Sequence, residues 1–193
     1  MSDPSTGLAK YAVVERERRW LVAPVVATAV VSGVSAASTL RIADRYVRDT
    51  RLRLRTVTSY DGAVVSKLGH KAVVDPAPPP RIEHTSLYLD GAESDLLATL
   101  PADELTKDRH RIQHDGRTLA LDVFTGRLAG LVLVELDLGA RGDAAVAPPP
   151  FPVVAEVTAD PAFTGGALAA TTRDALVVRL AGYGMHLVLP PGS

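Results

Sequence analysis

Charged side chains recur at every second position in four segments of this sequence. These segments are Glu15-x-Glu17-x-Arg19, Arg51-x-Arg53-x-Arg55, Lys107-x-Arg109-x-Arg111 and Glu135-x-Asp137. Guanidinium and ammonium groups bind phosphate oxygens, whereas clustered carboxylates bind hard divalent cations such as Mg²⁺. Residues of both kinds would suit a site that holds a phosphate chain together with a metal ion.

The alternation itself predicts that the charges share a face. Side chains two apart in a β-strand point to the same side, so the arginines of residues 51–55 would share one face and Leu52 and Leu54 the other. One interpretation is the solvated face of an antiparallel sheet. The other is a barrel with a polar lumen, which the sorting of charge by strand favours, since a solvent face usually mixes both signs.

Glu135 and Asp137 lie within an apolar stretch that runs from Leu131 to Leu138. Burying a carboxylate without a partner is costly. We therefore expect a metal ion or an arginine beside this pair, and an exposed edge strand is the alternative.

Alternating segments bounded by Gly, Pro or Asp predict a multi-stranded antiparallel sheet. We expect strands near residues 10–22, 39–48, 51–59, 62–70, 82–90, 105–114, 117–125 and 130–139. Asp61-Gly62 and Asp115-Gly116 predict tight hairpins between strands, because Gly readily adopts positive φ. Helices are expected near 24–33, 91–100, 141–146 and 166–172, and residues 172–183 fit either a helix or a strand.

Composition narrows the classes of function. The 193 residues suit one domain, and a net charge of −1 gives no general attraction to nucleic acid or to an anionic membrane. The absence of cysteine excludes disulfides, thiolate metal sites and a cysteine nucleophile. The N-terminus lacks the residue order of a secretory signal, and no uninterrupted apolar stretch could span a membrane. We expect a cytoplasmic monomer or homodimer with no nucleic-acid or membrane partner.

Over about residues 10–170 the chain resembles the CYTH superfamily, also called triphosphate tunnel metalloenzymes. Its opening segment, residues 15–19, is similar to the family motif Glu-x-Glu-x-Lys. Further similar elements follow in order: Asp44-Arg-Tyr46, Arg51-Leu-Arg53-Leu-Arg55, Ser66-Lys67, Arg81-Ile-Glu83, Lys107-Asp-Arg109, Leu121-Asp122, Leu131 to Leu138, and Ala155 to Asp160. The ordered set, and no single element, carries the resemblance.

The resemblance implies an α+β fold, with an eight-stranded antiparallel β-barrel, or tunnel, and a few flanking helices. We expect the tunnel domain to cover residues 10–172, after an irregular or disordered tail at 1–9. Residues 173–193 would form a C-terminal extension that packs on the domain or is partly disordered.

The same resemblance implies roles for individual residues. The phosphate-binding residues would be Arg53, Arg55, Lys67, Lys107 and Arg109. Mg²⁺ or Mn²⁺ would be held by Glu15, Glu17, Glu135 and Asp137, with Asp122 supporting or joining them. The implied activity is metal-dependent hydrolysis of inorganic triphosphate or a triphosphorylated small molecule. A class IV-type adenylate cyclase and a tunnel that binds polyphosphate or nucleotide with impaired turnover stay open as alternatives.

Three positions depart from the family pattern. Arg19 stands where the family has a lysine that can pair with a tyrosine, here Tyr46, in activating water. We assign Arg19 and Tyr46 to these catalytic positions, although a guanidinium stays protonated and is a poor base. Thr85 and Ala120 are neutral where many relatives carry an acidic residue, which predicts weaker binding of a second metal ion.

Overall fold

Nine β-strands and four α-helices follow one another through residues 11–140 and 147–187, the parts of the chain that the computed structural model describes. The strands are β1 (Val13–Leu21), β2 (Thr39–Val47), β3 (Leu52–Ser59), β4 (Val64–Asp75), β5 (Arg81–Leu89), β6 (Ala102–His114), β7 (Arg117–Phe124), β8 (Val132–Asp137) and β9 (Ala155–Glu156). The helices are α1 (Pro24–Val31), α2 (Gly91–Ala98), α3 (Gly165–Ala170) and α4 (Arg173–Ala181). Short 3₁₀ turns occur at Ala36–Ser38, Gly126–Leu128 and Pro161–Phe163.

The strands close into an antiparallel barrel. Their order is β5-β4-β3-β2-β6-β7-β8-β1, and β1 pairs back onto β5 through residues 13–16. The predicted eight-stranded antiparallel barrel is therefore confirmed. The end of β1 also pairs with the two-residue strand β9, which the sequence pattern did not predict.

Strand boundaries agree with the sequence pattern to within about three residues, except that β4 continues to Asp75, well beyond its predicted end at residue 70. The Asp-Gly hairpins occur as expected, with Gly62 at φ 83° and Gly116 at φ 70°. Residues 173–181 form a helix, which resolves the ambiguity of that segment. The helix predicted at 141–146 lies outside the described residues.

Strand register brings the charged residues of different strands onto one face. Directly paired residues of antiparallel strands project to the same side. Glu17 pairs with Asp137 and Arg19 with Glu135, while Asp44 pairs with Arg55 and Arg109 with Asp122. The charges therefore line the lumen.

Apolar residues cover part of the outer wall. Trp20 lies on the face of β1 opposite the charges and packs with Ala27 of α1 and with Leu121 and Val134. Trp20 directly follows the inward-facing Arg19, so strand alternation accounts for its outward position. In the described part of the chain, no helix is long and apolar enough to cross a membrane.

A second apolar cluster closes one end of the barrel. Leu105, Phe124 and Leu133 share the inner face with the charges, and they pack with buried residues of α3 and α4. In α4, Leu176 and Leu180 are four residues apart and both fully buried, as expected for one face of a helix. The lumen is therefore a charged cup with one apolar end.

Leu176→Ala should destabilise the fold by about 2 to 5 kcal/mol, because it removes a fully buried side chain and leaves a cavity. Val178→Ala, in the same helix at 74% exposure, should change stability by less than about 0.5 kcal/mol. Urea unfolding of both variants measures the difference. Equal stabilities would show that α4 is not part of the cooperative core.

Candidate functional site

Asp44 is the centre of a cationic group on the inner wall that we call the Asp44 cluster: Asp44, Arg53, Arg55 and Lys67. Asp44 is 1% exposed and accepts two hydrogen bonds from Arg55, Nε to Oδ1 and Nη2 to Oδ2, both at 2.6 Å. Arg53 Nε lies 3.7 Å from the same Oδ1. Burial alone raises the pKa of Asp44, but the hydrogen bond and charge of Arg55, with the charge of Arg53, outweigh it and hold the pKa below its ordinary value.

The Asp44 cluster carries three cations for one carboxylate. Lys67 makes no hydrogen bond or ion pair with the described residues. Burial and the like charges of Arg55 and Arg53 lower the pKa of the Lys67 ammonium. Arg53 Nε is buried without a hydrogen-bond partner in the described part of the chain. A bound anion would offset the repulsion between these cations and would accept a hydrogen bond from Arg53 Nε.

The opposite part of the wall is a chain of alternating charges. Asp122 has no exposed surface, and Arg109 donates to its two oxygens, Nε to Oδ1 and Nη2 to Oδ2, at 2.6 Å each. Lys107 donates to Asp122 as well. Arg109 Nη2 continues the chain by donating to Glu135 Oε2 at 2.7 Å.

Arg19 is the last cation in this series of alternating charges, and it lies between two carboxylates. Its Nε donates to Glu135 Oε1 at 2.9 Å and its Nη2 donates to Glu17 Oε2 at 3.0 Å. Burial alone raises the pKa of Glu135, but the charges of Lys107, Arg19 and Arg109 hold it well below its ordinary value. Arg19 is therefore anchored as a structural cation of the inner wall.

A third group lies where β1 meets β5. Glu15 Oε1 is 2.6 Å from His84 Nδ1, and Lys71 donates to Glu15 Oε2. His84 Nε2 is 3.1 Å from Ser86 Oγ. Burial alone raises the pKa of Glu15, but the hydrogen bonds and charges of His84 and Lys71 lower it to about 2.

Every residue that the sequence assigned to the site lies on the inner wall. Tyr46, however, is separated from Arg19. Its ring packs against the apolar end of the lumen, and a Cβ at Gly165 would come within 1.9 Å of its hydroxyl oxygen. Burial and the charge of Asp44 raise the pKa of the Tyr46 phenol. No contact joins Tyr46 to Arg19 among the described residues.

The structure corrects one position. Thr85 lies on the outer face of β5 together with Glu83, since Val14, an outward residue of β1, pairs with Glu83. The inner positions of this strand are His84 and Ser86, which pair with Lys71 and Gly69 of β4. Thr85 therefore cannot mark a lost carboxylate of the lumen, whereas Ala120 does face it, opposite Glu135.

Sequence reasoning missed five residues as candidates: Asp44, Lys71, His84, Ser86 and Gly69. Asp44 has the same strand parity as Tyr46, which is a signal that could have identified it. The others come together through the pairing of β4 with β5, in which Lys71 pairs with His84 and Gly69 with Ser86. Alternation within one strand gives no information on which residues of two strands pair.

The carboxylates fit a divalent cation only in part. Both oxygens of Glu15, Asp122 and Glu135 are already bonded to protein groups. Within residues 11–140 and 147–187, no three carboxylate or histidine side chains gather so that they could hold a metal ion. Glu17 and Asp137 are direct cross-strand neighbours and each keeps one oxygen without a partner among the described residues. These two would suit a cation that also takes oxygens from a bound phosphate.

Comparison with known proteins supports the fold. No protein-family model matches the chain, and no curated protein sequence is significantly similar to it. The crystal structure of the hypothetical protein NE1496 matches with a TM-score of 0.52 at 24% identity, over 82% of this chain and 99% of that one. The crystal structure of the inorganic triphosphatase NE1496 matches with a TM-score of 0.50 at 23% identity, over 80% and 97%.

A closed eight-stranded antiparallel barrel with charged side chains on its inner wall defines the class of fold: a β-tunnel. The chain has the tunnel fold that its resemblance to the CYTH superfamily implied, and it shares this fold with NE1496.

The depressed pKa of Glu15 predicts a specific acid response. A carboxyl whose pKa falls from 4.5 unfolded to about 2 folded stabilises the native state above pH 4.5, and this contribution is lost as the pH falls towards 2. Glu15→Gln should therefore be less stable than the wild type at pH 7 and should lose less stability between pH 5 and 2. Urea unfolding across this range measures both slopes, and parallel slopes would contradict the assignment.

Proposed function

We propose that this protein binds inorganic triphosphate or another triphosphorylated small molecule in its lumen and hydrolyses it. The single observation that carries the proposal is the Asp44 cluster, where three cations share one buried carboxylate. Phosphate oxygens would supply the missing negative charge. Charged groups attract more strongly in an enclosed lumen than in open solvent, because the effective dielectric constant is lower.

The spacing of the cations supports a ligand with several phosphate groups. Arg55 lies close enough to Arg109 for their charges to repel each other, and Lys107 is close enough to act on Asp44. The Asp44 cluster and the Lys107–Arg109 pair therefore border one continuous space. A single phosphate would contact only part of this wall, whereas a chain of three could reach both cationic groups.

Hydrolysis of a phosphoanhydride needs positioning and charge stabilisation more than covalent chemistry from the protein. Arginines and lysines along the wall would neutralise the non-bridging oxygens and the leaving oxygen during in-line attack. The inorganic triphosphatase NE1496 shares this fold, which supports the assignment. Glu17 and Asp137 would hold Mg²⁺ or Mn²⁺, which would neutralise further phosphate charge.

Binding without turnover is the second candidate. It is favoured by Arg19, which is fixed between Glu17 and Glu135, and by the separation of Tyr46 from it. Arg19 and Tyr46 make no contact with each other among the described residues, so they could not activate water as a pair. Calorimetric binding of tripolyphosphate with no release of phosphate would support this candidate over hydrolysis.

Lys67→Gln should weaken the binding of tripolyphosphate by about 10- to 100-fold, because it removes one charged hydrogen-bond donor. Lys67 has no described partner, so the fold should be unaffected. Arg41→Gln makes the same change in charge at a side chain that is 78% exposed on the outer wall, and it should alter the affinity by less than about twofold. Isothermal titration calorimetry measures both variants. Equal losses would place the binding site outside the lumen.

Phosphate release from tripolyphosphate should fall by about 100-fold in Arg53→Ala, because one buried donor to the transferred phosphate is lost. Glu17→Gln should raise the Mn²⁺ concentration needed for half-maximal rate, and chelation by EDTA should abolish release.

A panel of inorganic triphosphate and nucleoside triphosphates tests the activity, and chromatography of the ATP reaction separates ADP from cyclic AMP. A folded sample that releases no phosphate from any member contradicts hydrolysis, and cyclic AMP as the product would assign the cyclase reaction instead.

A further inference from the structure

Ser86, His84 and Glu15 form a hydrogen-bonded line on the inner wall. Ser86 Oγ is 3.1 Å from His84 Nε2, and His84 Nδ1 is 2.6 Å from Glu15 Oε1. His84 and Ser86 are two residues apart in β5 and therefore share the inner face, and Val13 of β1 pairs with His84. A hydroxyl, an imidazole and a carboxylate in this order are the elements of a serine nucleophile with its base and its orienting group.

The partners of His84 determine where its proton lies. An ionised carboxylate only accepts hydrogen bonds, so the Nδ1 that faces Glu15 must carry the hydrogen. In the neutral imidazole, Nε2 then has a free lone pair and Ser86 donates its hydroxyl proton to it. Lys71 bonds the second oxygen of Glu15, which fixes the carboxylate and hence the ring. His84 is largely buried whereas Ser86 is exposed, so a ligand can reach the serine oxygen.

Gly69 connects this line with the Asp44 cluster. It pairs with Arg53 on one side and with Ser86 on the other. A Cβ at Gly69 would lie 2.9 Å from His84 Nε2 and 3.7 Å from Arg53 Nη2. Because Gly69 has no side chain, the His84 imidazole and the Arg53 guanidinium both approach the same point of the β4 wall.

We propose that Ser86 is a nucleophile that takes a phosphoryl group, with His84 as its base and Glu15 as the positioning residue. The choice of a terminal phosphoryl group as the electrophile rests on the proposed function, whereas the reactivity of Ser86 does not. This assignment supplies a general base from β5. Arg19 of β1, which is anchored between two carboxylates, could not act as a base.

The reaction has two balanced steps. Ser86 Oγ attacks the terminal phosphorus, an Oγ–P bond forms, and the bridging P–O bond to the diphosphate leaving group breaks. The Ser86 proton passes to His84 Nε2 and from there to the leaving oxygen. Water then attacks the phosphoserine and the Oγ–P bond breaks, while His84 takes the water proton and returns a proton to Oγ. One water is consumed and one phosphate released.

Covalent labelling of the full chain tests the nucleophile without requiring a natural substrate. A fluorophosphonate probe should modify Ser86, as located by peptide mass spectrometry. Ser86→Ala should lose the label, and His84→Gln and Glu15→Gln should slow labelling by at least about 100-fold. Ser66→Ala, on the outer side of the neighbouring strand β4, is the matched control and should label at the wild-type rate. Thermal unfolding confirms that each variant is folded.

Glu15→Gln also separates positioning from a structural effect. It should slow labelling while the Kd for tripolyphosphate changes by less than about threefold, because Glu15 would act through His84 and not on the ligand. A loss of labelling together with an equal loss of affinity would overturn the positioning role.

Acid quenching during turnover of tripolyphosphate should trap phosphoserine at residue 86, which supports the complete proposal. Labelling of Ser86 without any hydrolysis would support the nucleophile and contradict the proposed function. Hydrolysis at the wild-type rate in Ser86→Ala, with no covalent adduct on the wild type, would overturn the nucleophile and leave the proposed function standing.

Discussion

The two hydrogen bonds from Arg109 to the fully buried Asp122 show what a closed barrel requires of its inner wall. An ion removed from water loses several kcal/mol of solvation, and only a well-placed partner offsets that loss. The carboxylates of Asp44, Asp122 and Glu135 each meet this condition through arginine. Removing one partner would leave an uncompensated buried charge.

Pairing accounts for the carboxylates but leaves cations over. Lys67 has no anionic partner in the described part of the chain, and Arg53 contacts Asp44 only at 3.7 Å while Arg55 takes the close positions. A wall built only for stability would match its charges or replace them with apolar residues. The proposed affinity of the lumen for anions rests on this surplus, and the carboxylates keep the arginine forks in fixed orientations.

Alternation within each strand was enough to predict which charges share a face, because residues two apart must do so. The charged pairs of β1, β3, β6 and β8 could be assigned in this way, as could the outward position of Trp20. Register between strands could not, since it depends on turns and bulges that the alternation does not encode. His84 rather than Thr85 faces the lumen because it pairs with Lys71 of β4 and with Val13 of β1. The surroundings of the Tyr46 hydroxyl could not be predicted from the sequence either. They depend on the packing of α3, which brings Gly165 against the hydroxyl.

The chain as a whole carries a charge of −1, so its net charge cannot draw a polyanion from a distance. Attraction for a polyanion would have to come from the arrangement of charge, which separates the cations of the inner wall from an outer wall that carries pairs such as Arg41 and Asp108. A low-dielectric wall concentrates the field of the inner cations within the lumen. The Glu15–His84 pair and the Asp44 cluster lie on neighbouring parts of this wall, joined by the pairing of β4 with β5. Binding charge and the candidate nucleophile therefore belong to adjacent strands, and the register of β4 against β5 couples them.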